Sequence, residues 1–276
     1  MRTLPFIKMH GLGNDYVYID CFSAGTAKML SKTDLSALAQ RVSDRHTGIG
    51  SDGLVLIMRS KDADARMRIF NADGSEAQMC GNAIRCVGKF LYESGLCRRP
   101  RLFIETLAGI RTLALKETDG VVESVMVNMG TPHIQADALM REKDPIGFTF
   151  VNMGNPHAVF FRDRMLSAKE LADLGKRVST HPHFPEGTNV EFVCVRNEHE
   201  LDVQVWERGT GVTLACGTGA CAAAVAAMWH GWAGRSIVVH LPGGDLDIRW
   251  ETNNESVYMS GPATEVFRGE FRMEDE

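Results

Sequence analysis

Phe70-Asn71-Ala72-Asp73-Gly74-Ser75-Glu76-Ala77-Gln78-Met79-Cys80-Gly81-Asn82 and Trp206-Glu207-Arg208-Gly209-Thr210-Gly211-Val212-Thr213-Leu214-Ala215-Cys216-Gly217-Thr218 are the two stretches that decide the fold. In each, an aromatic stands 10 residues before a cysteine, a Gly-containing loop follows, and the cysteine precedes a glycine. A second glycine, Gly95 or Gly231, falls 15 residues after each cysteine, where a helix C′ position favours a left-handed backbone. Working outward, Asn14 precedes Cys80 by 66 residues and Asn155 precedes Cys216 by 61. Gly50-Ser51-Asp52 and Gly187-Thr188-Asn189 hold matching places between them. Markers recurring in one order indicate an internal repeat.

Between the markers, short β-branched or alternating segments read as strands: Tyr16–Asp20, Leu54–Met58, Met67–Phe70, Val122–Met129, Val190–Val195, Asp202–Trp206, Ile237–His240 and Leu246–Trp250. Four helices are expected, near Asp34–Ser43, Gly81–Glu93, Ala168–Val178 and Gly217–His230. The third opens on Ser167-x-x-Glu170, a capping box. The plan is thus α/β (of the α+β kind), built as two pseudo-symmetric half-domains.

A length of 276 residues suits one large or two medium domains. The net charge of −5, with no basic run, argues against a nucleic-acid partner. The longest apolar stretch, Leu214 to Trp229, is short for a membrane span, and Met1 to His10 lacks a signal-peptide core, so a cytoplasmic protein is expected. Seven cysteines, an odd number without an export signal, read as thiols. His181-Pro182-His183 has no further ligand at usual spacing, so no metal is expected. Gly11-Leu12-Gly13 lacks the later glycine of a dinucleotide fingerprint and no P-loop occurs, so no cofactor is expected either.

If the segments after Cys80 and Cys216 are helical, each thiol sits by unpaired amides at a positive dipole end. Such a place lowers a thiol pKa and attracts an anion such as a carboxylate, which Gly81 and Gly217 would let approach closely. A thiolate and a thiol on opposite faces of one α-carbon can invert it: one removes the proton, amides hold the developing charge, and the other returns a proton. Cys86 and Cys221, among Val87, Phe90, Ala222 and Ala223, read as packing residues.

The chain resembles the diaminopimelate epimerase family along essentially its whole length. The likeness rests on Lys8-Met9-His10-Gly11-Leu12-Gly13-Asn14-Asp15, the Phe70–Glu76 segment running into Cys80-Gly81-Asn82, Met153-Gly154-Asn155-Pro156-His157, Glu207-Arg208-Gly209 and Ala215–Cys221. The resemblance implies a pyridoxal phosphate-independent isomerase that interconverts LL- and meso-diaminopimelate, a precursor of lysine and peptidoglycan. It implies a homodimer, and half-domains of residues 1–127 plus 263–276 and 128–262, each a curved, mixed and mainly antiparallel sheet around a central helix. The active site would lie in the cleft between them.

The same resemblance makes Cys80 and Cys216 the catalytic pair. It assigns Gly81, Asn82, Gly217 and Thr218 to the reacting carboxylate, and Asn14, Asn71, Asn155, Asn189, Glu207 and Arg208 to substrate binding. His157 would support the site. Gly53 stands where some family members carry a polar residue beside the substrate.

Three other readings are open: a two-cysteine racemase of another amino acid, a non-catalytic amino-acid-binding module, and a thiol redox protein. The set Asn71, Asn155, Asn189 and Arg208 is more than a one-carboxylate substrate requires. Both cysteines being present argues against a binding module. Cys80 with Cys86, and Cys216 with Cys221, are badly spaced along a helix for a local disulfide.

Overall fold

The computed structural model describes residues 2–140 and 146–273. The chain divides into two compact units, Met1–Val127 with Pro262–Glu276, and Asn128–Gly261.

The first unit opens with strands β1 (Arg2–Gly11) and β2 (Asn14–Asp20), antiparallel across the Gly11–Asn14 turn. Leu12 and Gly13 both adopt positive φ at that turn. Helices α1 (Ala24–Leu30) and α2 (Leu35–Ser43) then cross over to β3 (Gly53–Met58), which lies parallel to β2. Asp34 caps α2 by accepting from the amides of Ser36 and Ala37. Leu38, Ala39 and Val42 of α2 pack on Val17, Ile19, Leu54, Leu56 and Phe70. Strands β4 (Ala65–Asn71) and β5 (Glu76–Ala77) follow antiparallel, and then helix α3 (Gly81–Glu93). Strand β6 (Arg101–Thr106) returns parallel to β4, with β7 (Gly109–Thr118) and β8 (Val121–Gly130) as an antiparallel continuation.

The second unit repeats this order. β9 (His133–Met140), β10 (Ile146–Asn152) and β11 (Pro156–Phe161) are antiparallel neighbours. Helix α3's predecessor crossover has its counterpart in α4 (Ala168–Ser179), which leads to β12 (Asn189–Asn197), parallel to β11. The Ser167/Glu170 capping box is formed in both directions. Strands β13 (Glu200–Glu207) and β14 (Gly211–Thr213) precede helix α5 (Gly217–Trp229), after which β15 (Ser236–Leu241) runs parallel to β13. β16 (Gly244–Trp250) and β17 (Val257–Gly261) complete the unit antiparallel. Its core is aromatic, with Phe148, Phe160, Phe184 and Phe192 against Leu171 and Val178. Finally β18 (Thr264–Met273) returns to pair antiparallel with β1, the place that β9 takes beside β10. Residues 274–276 of the expected return segment lie outside the described residues.

The registers explain the two spacings. Tyr16 pairs with Gly53 as His157 pairs with Asn189. From Gly53 to Cys80, and from Asn189 to Cys216, the distance is 27 residues in both units. The difference between 66 and 61 therefore lies wholly in the crossover, where the first unit has two helices and the second has one. Asn189 thus answers to Gly53, one residue later than the Gly50-Ser51-Asp52 match implied.

Four helices were expected and five are described. The additional α1 is seven residues long, and its N-cap Ser23 makes no side-chain cap bond, so no periodic or capping signal marks it. α4 runs on to Ser179, and His230 is the C-cap of α5 rather than its last turn. Strand β1 escaped the periodicity reading because Lys8 is buried within it, interrupting the apolar pattern. β18 escaped it because most of its side chains are polar or partly exposed. α5 is buried from Ala220 to Met228 and is apolar on every side, as a central helix must be. α3 is also buried, but it encloses Arg85, whose Nε donates to the Pro262 carbonyl at 3.1 Å.

Candidate active site

In each unit the cysteine is the N-cap of the buried helix. Cys80 has φ −138° and ψ 121°, and its Sγ accepts from the Ala83 amide at 3.5 Å. Cys216 has φ −116° and ψ 115°, and its Sγ accepts from the Gly219 amide at 3.4 Å. An N-cap keeps an extended backbone while its side chain takes a first-turn amide. Both sequences thus place sulfur where Ser or Asp usually stands. Strands β5 and β14 set up the approach, each a short antiparallel addition that ends three residues before the cysteine.

Around Cys80 the structure gathers Asn14 and Asn82. The thiol donates toward Asn14 Oδ1 at 3.5 Å, and Asn82 Nδ2 donates to the same oxygen at 3.3 Å. Asn14 Nδ2 in turn donates to Asp52 Oδ2 at 2.8 Å. Asp52 also accepts from the Asp15 amide and from Arg45, and Lys8 bridges to Asp15. Burial raises the Asp52 pKa, with the Asp15 charge adding to it; Asp15 is itself lowered, because Arg45 and Lys8 outweigh its burial. Asn71 sits on β4 opposite Gly53, with its Nδ2 on Ser75 Oγ at 3.0 Å. Gly53 has no room for a side chain: a Cβ would stand 2.1 Å from the Phe70 carbonyl oxygen and 2.9 Å from Tyr16 Cε1.

Around Cys216 it gathers Thr218, Asn155, His157 and Glu207. Thr218 Oγ1 lies 3.5 Å from the thiol and accepts from Asn155 Nδ2 at 3.3 Å. Asn155 Oδ1 faces His157 Nε2 at 3.0 Å, and His157 Nδ1 faces Glu191 Oε1 at 2.7 Å. Glu207 accepts from Thr213 Oγ1 at 2.6 Å. Asn189 ties the neighbouring loops, donating to the Pro156 carbonyl at 3.0 Å and accepting from the Arg208 amide at 2.9 Å. Arg208 is exposed, with Nη1 on the Glu186 carbonyl at 2.9 Å.

At Cys216 the helix start does not decide the state of the thiol. A lowered pKa was expected at both, yet Cys216 is pushed well above the ordinary thiol value. Burial is the main cause, Glu207 and Glu191 add repulsion, and the bonds from Thr218 and Gly219 offset only part. Glu207 is also raised by burial, against the opposing bond from Thr213 and the His157 interaction.

Sequence reasoning named neither Asp52, Glu191 nor Thr213 as part of the site. Glu191 did carry a signal, being the one acid within the apolar run Val190–Val195. Among the described residues, no group of three or more His, Cys, Asp or Glu is placed to hold a metal ion, and no helix is long and apolar enough to cross a membrane.

This architecture is shared with solved structures of low sequence identity. A probable proline racemase from Agrobacterium radiobacter matches at TM-score 0.73 and 17% identity, over 98% of this chain and 93% of that one. A phenazine biosynthesis protein from Bacillus anthracis matches at TM-score 0.75 and 17% identity, over 99% of this chain and 100% of that one. The fold is therefore one that racemases and epimerases share, and the class, isomerase, follows from the family that the sequence matches.

Within that class, the family model for diaminopimelate epimerase matches residues 6–135 and 149–266, and the chain belongs to this family. A diaminopimelate epimerase from Pelotomaculum thermopropionicum is 48% identical, over 97% of this chain and 99% of its own. Another from Moorella thermoacetica is 48% identical over 98% and 100%.

Proposed function

We infer that the chain interconverts LL- and meso-2,6-diaminopimelate by two-base proton transfer, with Cys80 and Cys216 exchanging the roles of base and acid. The observation that carries the reading is the duplicated cysteine N-cap, in a chain belonging to the diaminopimelate epimerase family. A thiolate on one side takes the α-proton to become a thiol; the electron pair left on carbon spreads into the carboxylate; the other thiol gives its proton to the opposite face and becomes the thiolate. Inversion requires the two sulfurs to reach one α-carbon from opposite sides.

First-turn amides, which intrahelical bonding leaves over, suit the reacting carboxylate, with Gly81, Asn82, Gly217 and Thr218 in the first turns. Holding the negative charge that builds on that carboxylate is the larger part of the task, because an α-proton beside a carboxylate is very weakly acidic. Asn14, Asn71, Asn155, Asn189, Glu207 and Arg208 serve the remainder of the substrate, whose far end is a second amino acid. Arg suits its carboxylate and Glu its ammonium. His157 supports the second half-site, and Gly53 contributes only backbone. The reaction needs no pyridoxal phosphate, and the working enzyme is a cytoplasmic homodimer.

Separation of LL- from meso-diaminopimelate after incubation with purified, reduced protein tests the reading. Conversion is expected without added cofactor, and Cys80→Ala or Cys216→Ala is expected to lose at least about 10²–10⁴-fold in kcat. Racemisation of proline or histidine with no action on diaminopimelate would favour the neighbouring reading. Undiminished turnover in either variant would overturn the two-thiol mechanism.

A further inference from the structure

Glu191 is wholly buried on β12, and so is its partner His157 on β11. One carboxylate oxygen meets His157 Nδ1 at 2.7 Å, while the other, Oε2, is buried without a hydrogen-bond partner. A buried carboxylate half satisfied in this way is costly, so a structural role would be served better by an apolar residue. Its neighbours on the strand, Val190, Phe192 and Val193, are of that kind.

The carboxylate also lies beneath the first turn of α5. A Cβ at Gly219 would stand 2.7 Å from Glu191 Oε1, and 3.4 Å from the Cys216 sulfur. A continuous series of contacts then joins Glu191 to that sulfur: 2.7 Å to His157, 3.0 Å to Asn155, 3.3 Å to Thr218 and 3.5 Å to Cys216.

We propose that Glu191 is a positioning residue of the Cys216 half-site, fixing the His157 ring through Nδ1 and thereby holding Asn155 and Thr218 against the thiol. A carboxylate at 2.7 Å requires a donor, so Nδ1 carries a proton. Asn155 Oδ1, at 3.0 Å, is an acceptor too, so Nε2 also donates, and the ring, bonded at both nitrogens, is set in one orientation. Three segments, β11, the loop before it and the first turn of α5, are tied in this way to one residue of β12.

The charged groups facing Cys216 are Glu191 from β12 and Glu207 from the end of β13, with His157 on β11 beside both. Both carboxylates favour the protonated thiol. Besides holding geometry, Glu191 thus adds, after burial and Glu207, to the bias toward the protonated thiol.

The proposal rests on Cys216 being a reacting group, but its test needs no substrate. The pH midpoint of iodoacetamide labelling is measured at Cys216 and at Cys80 by peptide mass spectrometry, in the full chain and in Glu191→Gln. The amide keeps the shape and loses the charge. The Cys216 midpoint is expected to fall by about one pH unit, giving roughly tenfold faster labelling below it, with the Cys80 midpoint unmoved. An unmoved Cys216 midpoint, or equal shifts at both cysteines, would overturn the proposal. Nitrogen-15 histidine NMR of the unsubstituted protein gives a second reading that holds even where the variant does not fold: His157 is expected to be protonated at Nδ1, and a bare Nδ1 would sink the idea. A shift confined to Cys216 in a protein that fails to epimerise diaminopimelate would leave this assignment standing and remove the proposed substrate.

Discussion

Glu207 shows how a single side chain can report on the whole half-site. Burial raises its pKa, and the Thr213 hydroxyl, donating at 2.6 Å, restrains the rise. In its proposed role, holding the substrate ammonium, it must be ionised, so activity should be lost as pH falls through its raised value, at a higher pH than the ordinary 4.5 of a glutamate. Thr213→Val removes a donor to the charged form and should move the acid limb of kcat/KM further up. A limb unchanged by the substitution would contradict that role.

At this scale the sequence was informative where a residue type was repeated in register, as with Cys80 and Cys216. It was silent where a role depends on what packs against the residue. Nothing in the string Asn189-Val190-Glu191-Phe192 says that the acid points at a histidine 34 positions earlier, and Asp52 served there only as a spacing marker.

Elements were legible in proportion to their burial on one face. α3 matched its expected span because Cys80 caps it and Gly95, at φ 79°, ends it. α4 carried a capping box and α5 an unbroken apolar run. α1 carried neither, and β1 and β18 are held by their pairing with each other rather than by alternation. Where two elements touch closely, a glycine marks the contact. Gly175 of α4 lies so near β13 that an added Cβ would stand 2.5 Å from Trp206 Cβ. Gly175→Ala should therefore push the helix off the strand that ends in Glu207, at a cost of about 1–3 kcal/mol. Chemical denaturation measures it, and a loss of only a few tenths would show that the contact has slack.

For the molecule as a whole, buried thiols make stability sensitive to alkali. Burial pushes Cys86 to about 11 and Cys21 to about 12, against an ordinary thiol value of 9.0. Both values are raised in the fold, so below about pH 9 neither state ionises them and their contribution is whole. Above it the unfolded chain releases protons that the folded chain retains, and stability falls. The loss approaches about 1.4 kcal/mol per pH unit for each thiol between about pH 9 and 11. Tm should decline over that range, more gently in Cys86→Ala referenced to its own value at pH 8; a flat Tm would contradict it.

At the same scale, the duplicated order of strands could be read from the cysteine-centred markers. The crossover difference, two helices against one, could not, because it is hidden in loops whose lengths carry no periodicity.

The central claim, two thiols acting as separate acid and base, is tested most directly by the fate of hydrogen during the first turnovers of LL-diaminopimelate in D₂O without added cofactor. Two bases predict meso product carrying one deuterium at the inverted carbon, while the LL substrate recovered early remains protiated. Product that keeps its original α-proton would mean that one base picks up and returns the same hydrogen, and the two-thiol account would be wrong.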